Sequence, residues 1–279
     1  EAALVQDALV ADDPLVLEVS AAIAAQRERC SSCSVRESVC LSECRSLTSE
    51  TTEDALSQIR LAVWVAKALR EPGSEWRPWL ELLPRDFASS PLVLAEPLLR
   101  AAVGGTELLK EALEVQEAWR LLHGLLNRSS ELYRRHVASY EALRTARLIV
   151  LSRLHGLRGA GSAGGDALVP FADLLNHDPG APTTWGTSPE GGFQLAAAAP
   201  IAAGTPITCS YGSERSSKEL FMHYGFAPGE NPWHAATLQL SVDRQDPLYA
   251  EKRGALIAMD VYRSFRFSER QGFAASGPP

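Results

Sequence analysis

Several things are missing from this 279-residue chain, and each absence excludes a class of function. No apolar run approaches the about 18 residues that cross a bilayer, because Lys67 breaks the stretch 61–69 and the stretch 148–151 is short. A membrane partner is therefore not expected. Positive charge is in deficit, with 27 Lys and Arg against 34 Asp and Glu and a net charge of -7. That is the wrong sign for gripping a phosphate backbone, so no direct nucleic-acid partner is expected either. The sequence contains no G-x-x-x-x-G-K-[ST], no H-E-x-x-H and no G-x-S-x-G, which leaves P-loop, zincin and α/β-hydrolase chemistry without support. The run GLRGAGSAGG at 156–165 looks like a dinucleotide loop, but it follows a helical pattern and precedes a strand, the reverse of the order that puts phosphates on a helix N-terminus. It reads as a flexible loop.

Cysteine is sparse and unevenly placed. There are five, an odd number, with Cys30, Cys33, Cys40 and Cys44 crowded together and Cys209 in a strand-like segment, which is not a disulfide framework. The spacing C-x2-C-x6-C-x3-C could wrap zinc, but its central gap is shorter than ribbon or finger spacing, and a Ser-rich surface linker with free thiols is the preferred reading. Neither Met nor a basic segment opens the chain, so any targeting segment is expected to have been removed or to lie outside it.

What is present is ordinary globular material, 46% hydrophobic and 22% charged, enough for a sizeable core without metals or disulfides. Residues 14–20 (PLVLEVS), rich in β-branched side chains, read as a strand, and the polar stretch 26–52 as a connection. Leu56, Ile59, Val63, Ala66 and Leu69 recur at helical spacing and should stop before Pro72 and Gly73. WRPWLELLP at 76–84 reads as a packed connector. Leu108, Ala112, Val115, Trp119, Leu122 and Leu126 form a stripe that suits a helix facing a core, and residues 132–157 continue as helix with Val137, Tyr140, Leu143, Val150 and Leu154 inward. Beyond 160, short strands alternate with Gly and Pro, at 167–171, 193–197, 206–211 and 236–242. The whole is α+β, a β domain carrying a large helical insertion.

Two segments carry polar residues that no core needs, VPFADLLNHDP at 169–179 and ITCSYGSERSSKELFMHYGFAPGENP at 207–232. In the first, Asp173 and His177 stand four apart and could both ligate a metal, but no third ligand sits at a recognisable offset, and Pro170 and Pro179 leave room for a single turn. A turn offering Asn176 and His177 to a small polar ligand is the better reading. In the second, Tyr211 ends a strand beside Gly212, and residues 219–224 form a helix ending at Gly225.

Together these segments resemble the SET-domain protein methyltransferases, in the branch typified by the Rubisco large-subunit lysine methyltransferase and its actin-histidine relative. The family pattern of D-x-x-N-H, A-G before a strand ending in Y-G, a helix ending in Y-G-F and a nearby N-P corresponds to 173–177, 203–204, 211–212, 224–226 and 231–232. The resemblance covers residues 15 to 260. It implies a SET-type β fold with an N-terminal strand and linker at 1–55, a helical insertion at 56–150, a SET core at 151–235, and the start of a C-terminal helical substrate domain at 236–279. It departs from the pattern in having no glycine before Gly73, where a cofactor loop is expected, and Ser217 where Asn is common.

By the same resemblance the expected cofactor is S-adenosyl-L-methionine and the expected substrate a protein; a monomer is expected, and the compartment is left open between cytoplasm and plastid stroma. Asn176 and His177 would hold the adenine end with Asp173, Leu174 and Leu175 beside them. Arg153 would take the polar end, and Phe226 would pack on the adenine with Tyr224 and Gly225 alongside. Tyr211 would be the catalytic tyrosine. His155 and Ala172 would face the substrate, and the small Ala172 matches lysine-specific relatives, which favours lysine over histidine as acceptor. A SET-fold binding module that has lost turnover, a histidine-specific enzyme, and a helical interaction protein built on the 108–126 stripe are the alternatives.

Overall fold

A computed structural model describes residues 5–6, 10–32, 53–157, 165–188, 192–212, 214–238, 242, 244–258 and 265–268. The segment read as an N-terminal strand is instead the start of helix α1, Pro14–Ser32. Asp13 accepts the Leu15 amide through Oδ1 at 2.9 Å, and Pro14 takes the first helical position, where its missing N–H costs nothing. Leu15, Val16, Val19 and Ile23 are buried while Leu17 is 54% exposed, a helical rather than an alternating pattern. Packing has overridden the β preference of the valines. The strand near this end of the chain is β1, Val5–Gln6, which pairs antiparallel with Ala167 and Leu168.

Helix α2, Glu53–Ala68, buries Leu56, Ile59, Val63 and Ala66 of its predicted stripe, and also Leu61, Ala62 and Val65 outside it, because it is packed on more than one face. It begins before residue 56 and so crosses the expected domain boundary. The connector contains a single turn, α3, Arg77–Leu80, and is followed by α4, Glu96–Val103. Helix α5, Glu107–Ser129, buries Leu108, Ala112, Trp119, Leu122 and Leu126, and so faces a core, as its stripe predicts.

The expected single helix over 132–157 is three elements: α6, Glu131–His136; α7, Tyr140–Arg153; and strand β2, Leu154–Leu157. Ala138 adopts a positive φ of 68°, and the Ser139 hydroxyl caps α7 by accepting the Ala142 amide at 3.1 Å. After Arg153 the chain turns extended because β2 pairs antiparallel with β3, Gly165–Leu168. Residues 158–164 of the Gly-rich loop lie outside the described residues.

The remaining strands are short. A 3-10 turn at Ala172–Leu174 leads into β4, Asn176–His177, and the hairpin β5, Thr183–Thr187, with β6, Phe193–Ala197, follows. Strand β7 is Thr208–Cys209, narrower than the expected 206–211, and runs parallel to β4. Helix α8 is Ser217–Tyr224, strand β8 is Ala235–Leu238, helix α9 is Tyr249–Ala258, and β9, Phe265–Ser268, pairs with β8. One core joins α1, α2, α6 and α7; a second joins α4 and α5 to Met222 and Phe221 of α8.

Candidate active site

The helix-to-strand junction after α7 aims two side chains. Arg153, the last helical residue, donates through Nη1 to the Asp173 carbonyl at 2.6 Å and lies 3.3 Å from Asp173 Oδ2. The Asp173 side chain is 0% exposed, and Oδ2 also accepts the Trp79 indole N–H at 2.9 Å. Its carboxylate is thus turned inward to hold other protein groups. Two residues on, His155 sits edge-on to Trp185 and Phe193, at 5.2 Å from each ring. Its Nδ1 lies 3.1 Å from the Arg153 carbonyl, which can only accept, so Nδ1 carries the proton and Nε2 the lone pair. Burial pulls the His155 pKa below 6.5, leaving the ring neutral at pH 7.

The parallel pairing of Asn176 with Thr208 and His177 with Cys209 brings the two motif segments side by side. His177 Nδ1 accepts the Tyr211 amide at 3.1 Å, so its lone pair is committed and its proton sits on Nε2. The Tyr211 ring stacks on Tyr224 at 4.5 Å and lies 5.2 Å from His177 and 6.4 Å from Phe226. Its hydroxyl donates to the Leu175 carbonyl at 2.8 Å, and burial pushes its pKa up to about 12.

Helix α8 positions Tyr224 and Phe226. A capping box between Ser216 and Glu219 starts it, and Gly225 ends it at a φ of 79°. A Cβ at Gly225 would meet the Ser89 hydroxyl at 3.0 Å, so the turn also needs glycine for the close approach of the connector. Arg215 Nε donates to the Tyr211 carbonyl at 2.9 Å, and Asn231 Nδ2 donates to the Arg215 carbonyl at 3.0 Å, tying the N-P segment to the same loop. Ser217, the departure from the family pattern, lies at the first turn of α8 and accepts a second bond from Asn231 at 3.3 Å.

A narrow cleft of about 30 Å³ runs between these groups, lined among others by Ser152, Arg153, His155, Ala172, Tyr211 and Tyr224. Cys209, 3% exposed, also lines it, with its thiol pKa raised by burial. Leu174 (46% exposed), Asn176 and Phe226 (37% exposed) are exposed and do not line it. Asp173 and His177 do not share a helical face, and no metal-binding group of three or more His, Cys, Asp or Glu occurs among the described residues. Cys33, Cys40 and Cys44 fall outside those residues, as does the side chain of Cys30. In the sequence Trp79 reads as part of a packed connector, and nothing there singles out Trp185 or Arg215. Two tryptophans within four residues were the available signal for Trp79, but its partner lies 94 residues away.

No family model matches the chain. The chloroplastic [fructose-bisphosphate aldolase]-lysine N-methyltransferase of Arabidopsis thaliana is 24% identical over 225 residues, 76% of this chain and 44% of that protein. Human actin-histidine N-methyltransferase is 25% identical over 221 residues, 77% of this chain and 37% of that protein. The chain therefore spans less than half the length of either relative. Among solved structures, the SET domain of LSMT bound to lysine and AdoHcy matches with a TM-score of 0.65 at 19% identity, over 99% of this chain and 57% of that one. Rubisco LSMT bound to AdoMet matches at 0.60 and 20% identity, over 84% of this chain and 53% of that one. The α+β architecture described above is thus the SET-domain fold, and the chain resembles the Rubisco LSMT-like branch of the SET-domain protein methyltransferases.

Proposed function

We propose that this chain is the SET portion of an S-adenosylmethionine-dependent protein methyltransferase whose acceptor is a lysine side chain. The observation that carries the reading is the placement of the Tyr211 phenol. It is stacked, hydrogen-bonded and kept neutral in a cleft that Arg153 and His155 also line. The residues present fit the cofactor. Arg153 Nε is buried with no partner among the described residues, the Asn176 side chain is exposed, and Phe226 offers a partly open ring beside His177.

S-adenosylmethionine supplies a sulfonium methyl, and its transfer to an amine is an in-line displacement that depends on alignment more than on acid-base groups. The chain's own groups provide that alignment. Arg153 would hold the polar end, Asn176 and His177 the adenine end, and Phe226 would pack on the adenine with Tyr224 alongside. Because the Tyr211 proton is committed to the Leu175 carbonyl, the phenol oxygen keeps its lone pairs and would accept from an acceptor N–H or a polarised C–H bond. A phenol with a pKa of about 12 does not ionise at pH 7 and so does not compete for the methyl. Ala172 and Trp185 give the cleft some apolar surface beside polar groups such as Ser152 and Arg153.

Ala172 leaves the channel open for a long alkyl amine, which favours lysine. A histidine acceptor is the second reading, supported by the neutral His155 with its free Nε2 lone pair and by the actin-histidine relatives. The test is titration of S-adenosylmethionine into the purified chain, followed by mass spectrometry of lysate proteins it labels. Binding together with methyl groups on lysine nitrogen is expected, and Tyr211→Phe should keep cofactor affinity while lowering the single-turnover rate at least about tenfold. Labelling confined to histidine would replace lysine by the second reading, and binding without any transfer would leave a binding module.

A further inference from the structure

A buried carboxylate is stable only when protein groups replace the water it has lost, and Asp173 is supplied unevenly. Oδ2 carries both polar contacts, the Trp79 indole at 2.9 Å and Arg153 Nη1 at 3.3 Å, while Oδ1 has no partner among the described residues. Arg153 Nη1 is also held by the Asp173 carbonyl at 2.6 Å. One residue therefore grips one guanidinium nitrogen from its backbone and its side chain. Since the guanidinium is planar and rigid, the direction of its remaining N–H groups follows from that grip.

Trp79 itself has little freedom. It sits on the single turn α3 and is 7% exposed, and its ring meets Trp76 edge-on at 6.3 Å. Trp76 in turn meets Trp64 of α2 edge-on at 6.1 Å, and the neighbours Val63 and Val65 are fully buried. A continuous packed path runs from the core helix of the insertion to the indole N–H, and from there through Asp173 to Arg153. Packing alone would not require the N–H to point at a carboxylate.

We infer that Trp79 is a positioning residue: through Asp173 Oδ2 it sets the pose of the Arg153 guanidinium, so that the helical insertion governs how the cleft receives the polar end of its cofactor. The inference rests on the proposed role of Arg153 toward S-adenosylmethionine. Without the indole N–H, Oδ2 would be left with Arg153 alone, and the carboxylate would turn further toward it or admit water, redirecting the fork.

Trp79→Phe keeps an aromatic ring and removes the donor. With folding confirmed by thermal denaturation, its affinity for S-adenosylmethionine should fall about tenfold, the loss of one charge-assisted hydrogen bond acting indirectly. The turnover rate at saturating cofactor should change much less. In an Asp173→Ala background the same substitution should have no further effect on affinity, whereas a side chain that only fills space would give additive losses and overturn the inference. Should the wild-type chain bind no cofactor, the methyltransferase reading fails, and crystal structures of wild type and Trp79→Phe decide the positioning claim without ligand. A redirected Arg153 guanidinium supports it, and an unchanged one overturns it.

Discussion

Between Glu53 and Arg153 the helices are held together by side chains such as Ile59, Leu61, Leu122, Leu126 and Tyr133, all fully buried. The strand-rich stretch from Leu154 to Leu238 has a buried cluster of its own made of Leu157, Ala167 and Val169. Its Phe171 and Leu174 are 75% and 46% exposed. What fixes this second region is directional: the Tyr211 hydroxyl on the Leu175 carbonyl, the Thr183 hydroxyl on the Thr208 carbonyl at 2.6 Å, and Asn231 on the Arg215 carbonyl. It also leans on the helices, through Met222 and Phe221 in the second core and through Gly225 against Ser89. The contrast teaches that the candidate site leans for its rigidity on the packed helices, while residues such as Asn176 and Phe226 stay exposed.

That contrast can be broken most decisively in the helices. Leu126→Ala should cost about 2–5 kcal/mol in urea denaturation, the transfer and cavity cost of a fully buried leucine. A loss under about 1 kcal/mol would mean the helices are not the frame. Asn176→Ala should sharpen the other side of the comparison. Being exposed, it should leave stability within about 0.5 kcal/mol of wild type, yet weaken S-adenosylmethionine binding by about 1–3 kcal/mol in calorimetric titration. Equal affinities would remove Asn176 from the site. At the seam between the regions, Gly225→Ala would place a Cβ at a left-handed φ and 3.0 Å from the Ser89 hydroxyl. It should destabilise by about 1–2 kcal/mol, and a neutral thermal melt would show that the seam yields freely.

The smallest effect concerns pH. Burial is the main cause that pulls His123, His155, His177 and His223 below 6.5. The unfolded chain therefore binds protons more readily, so stability is complete above pH 6.5 and declines as pH falls through the lowered native values. His155→Phe should flatten part of that decline, and a melting temperature with the same acid dependence in both proteins would exclude His155 from it.

The helical region was the easier one to read. The stripes in α2 and α5 are long and regular enough to name a helix, although in α2 burial extends beyond the stripe to Leu61, Ala62 and Val65. Where local signals competed, the reading went astray. At 14–20 the valines outweighed the Asp13–Pro14 start signal, and at 132–157 a plausible long helix hid the turn at Ala138 and the demand of β3 for a partner. In the site, the family motifs picked out the segments of Asn176, His177, Tyr211 and Tyr224, because their local spacing is diagnostic. Trp79 and Trp185 stayed hidden, because their roles arise from contacts with Asp173 and His155 that no local pattern encodes.

The parallel pairing of β4 with β7 also bears on the order in which the chain organises itself. Two residues on each strand meet, Asn176 with Thr208 and His177 with Cys209, and the hairpin of β5 and β6 lies in the chain between them. Parallel partners cannot be joined by a tight turn, so the entropy of closing that long loop must be met before a very short ladder gives anything back. The local helices and the hairpin can form first, and the ladder is a late event on the way to the native state. Its interactions should therefore be nearly absent from the folding transition state. Sequence changes in the motif segments would then leave the folding rate almost untouched and act on the unfolding rate, which lets the candidate site vary without slowing assembly.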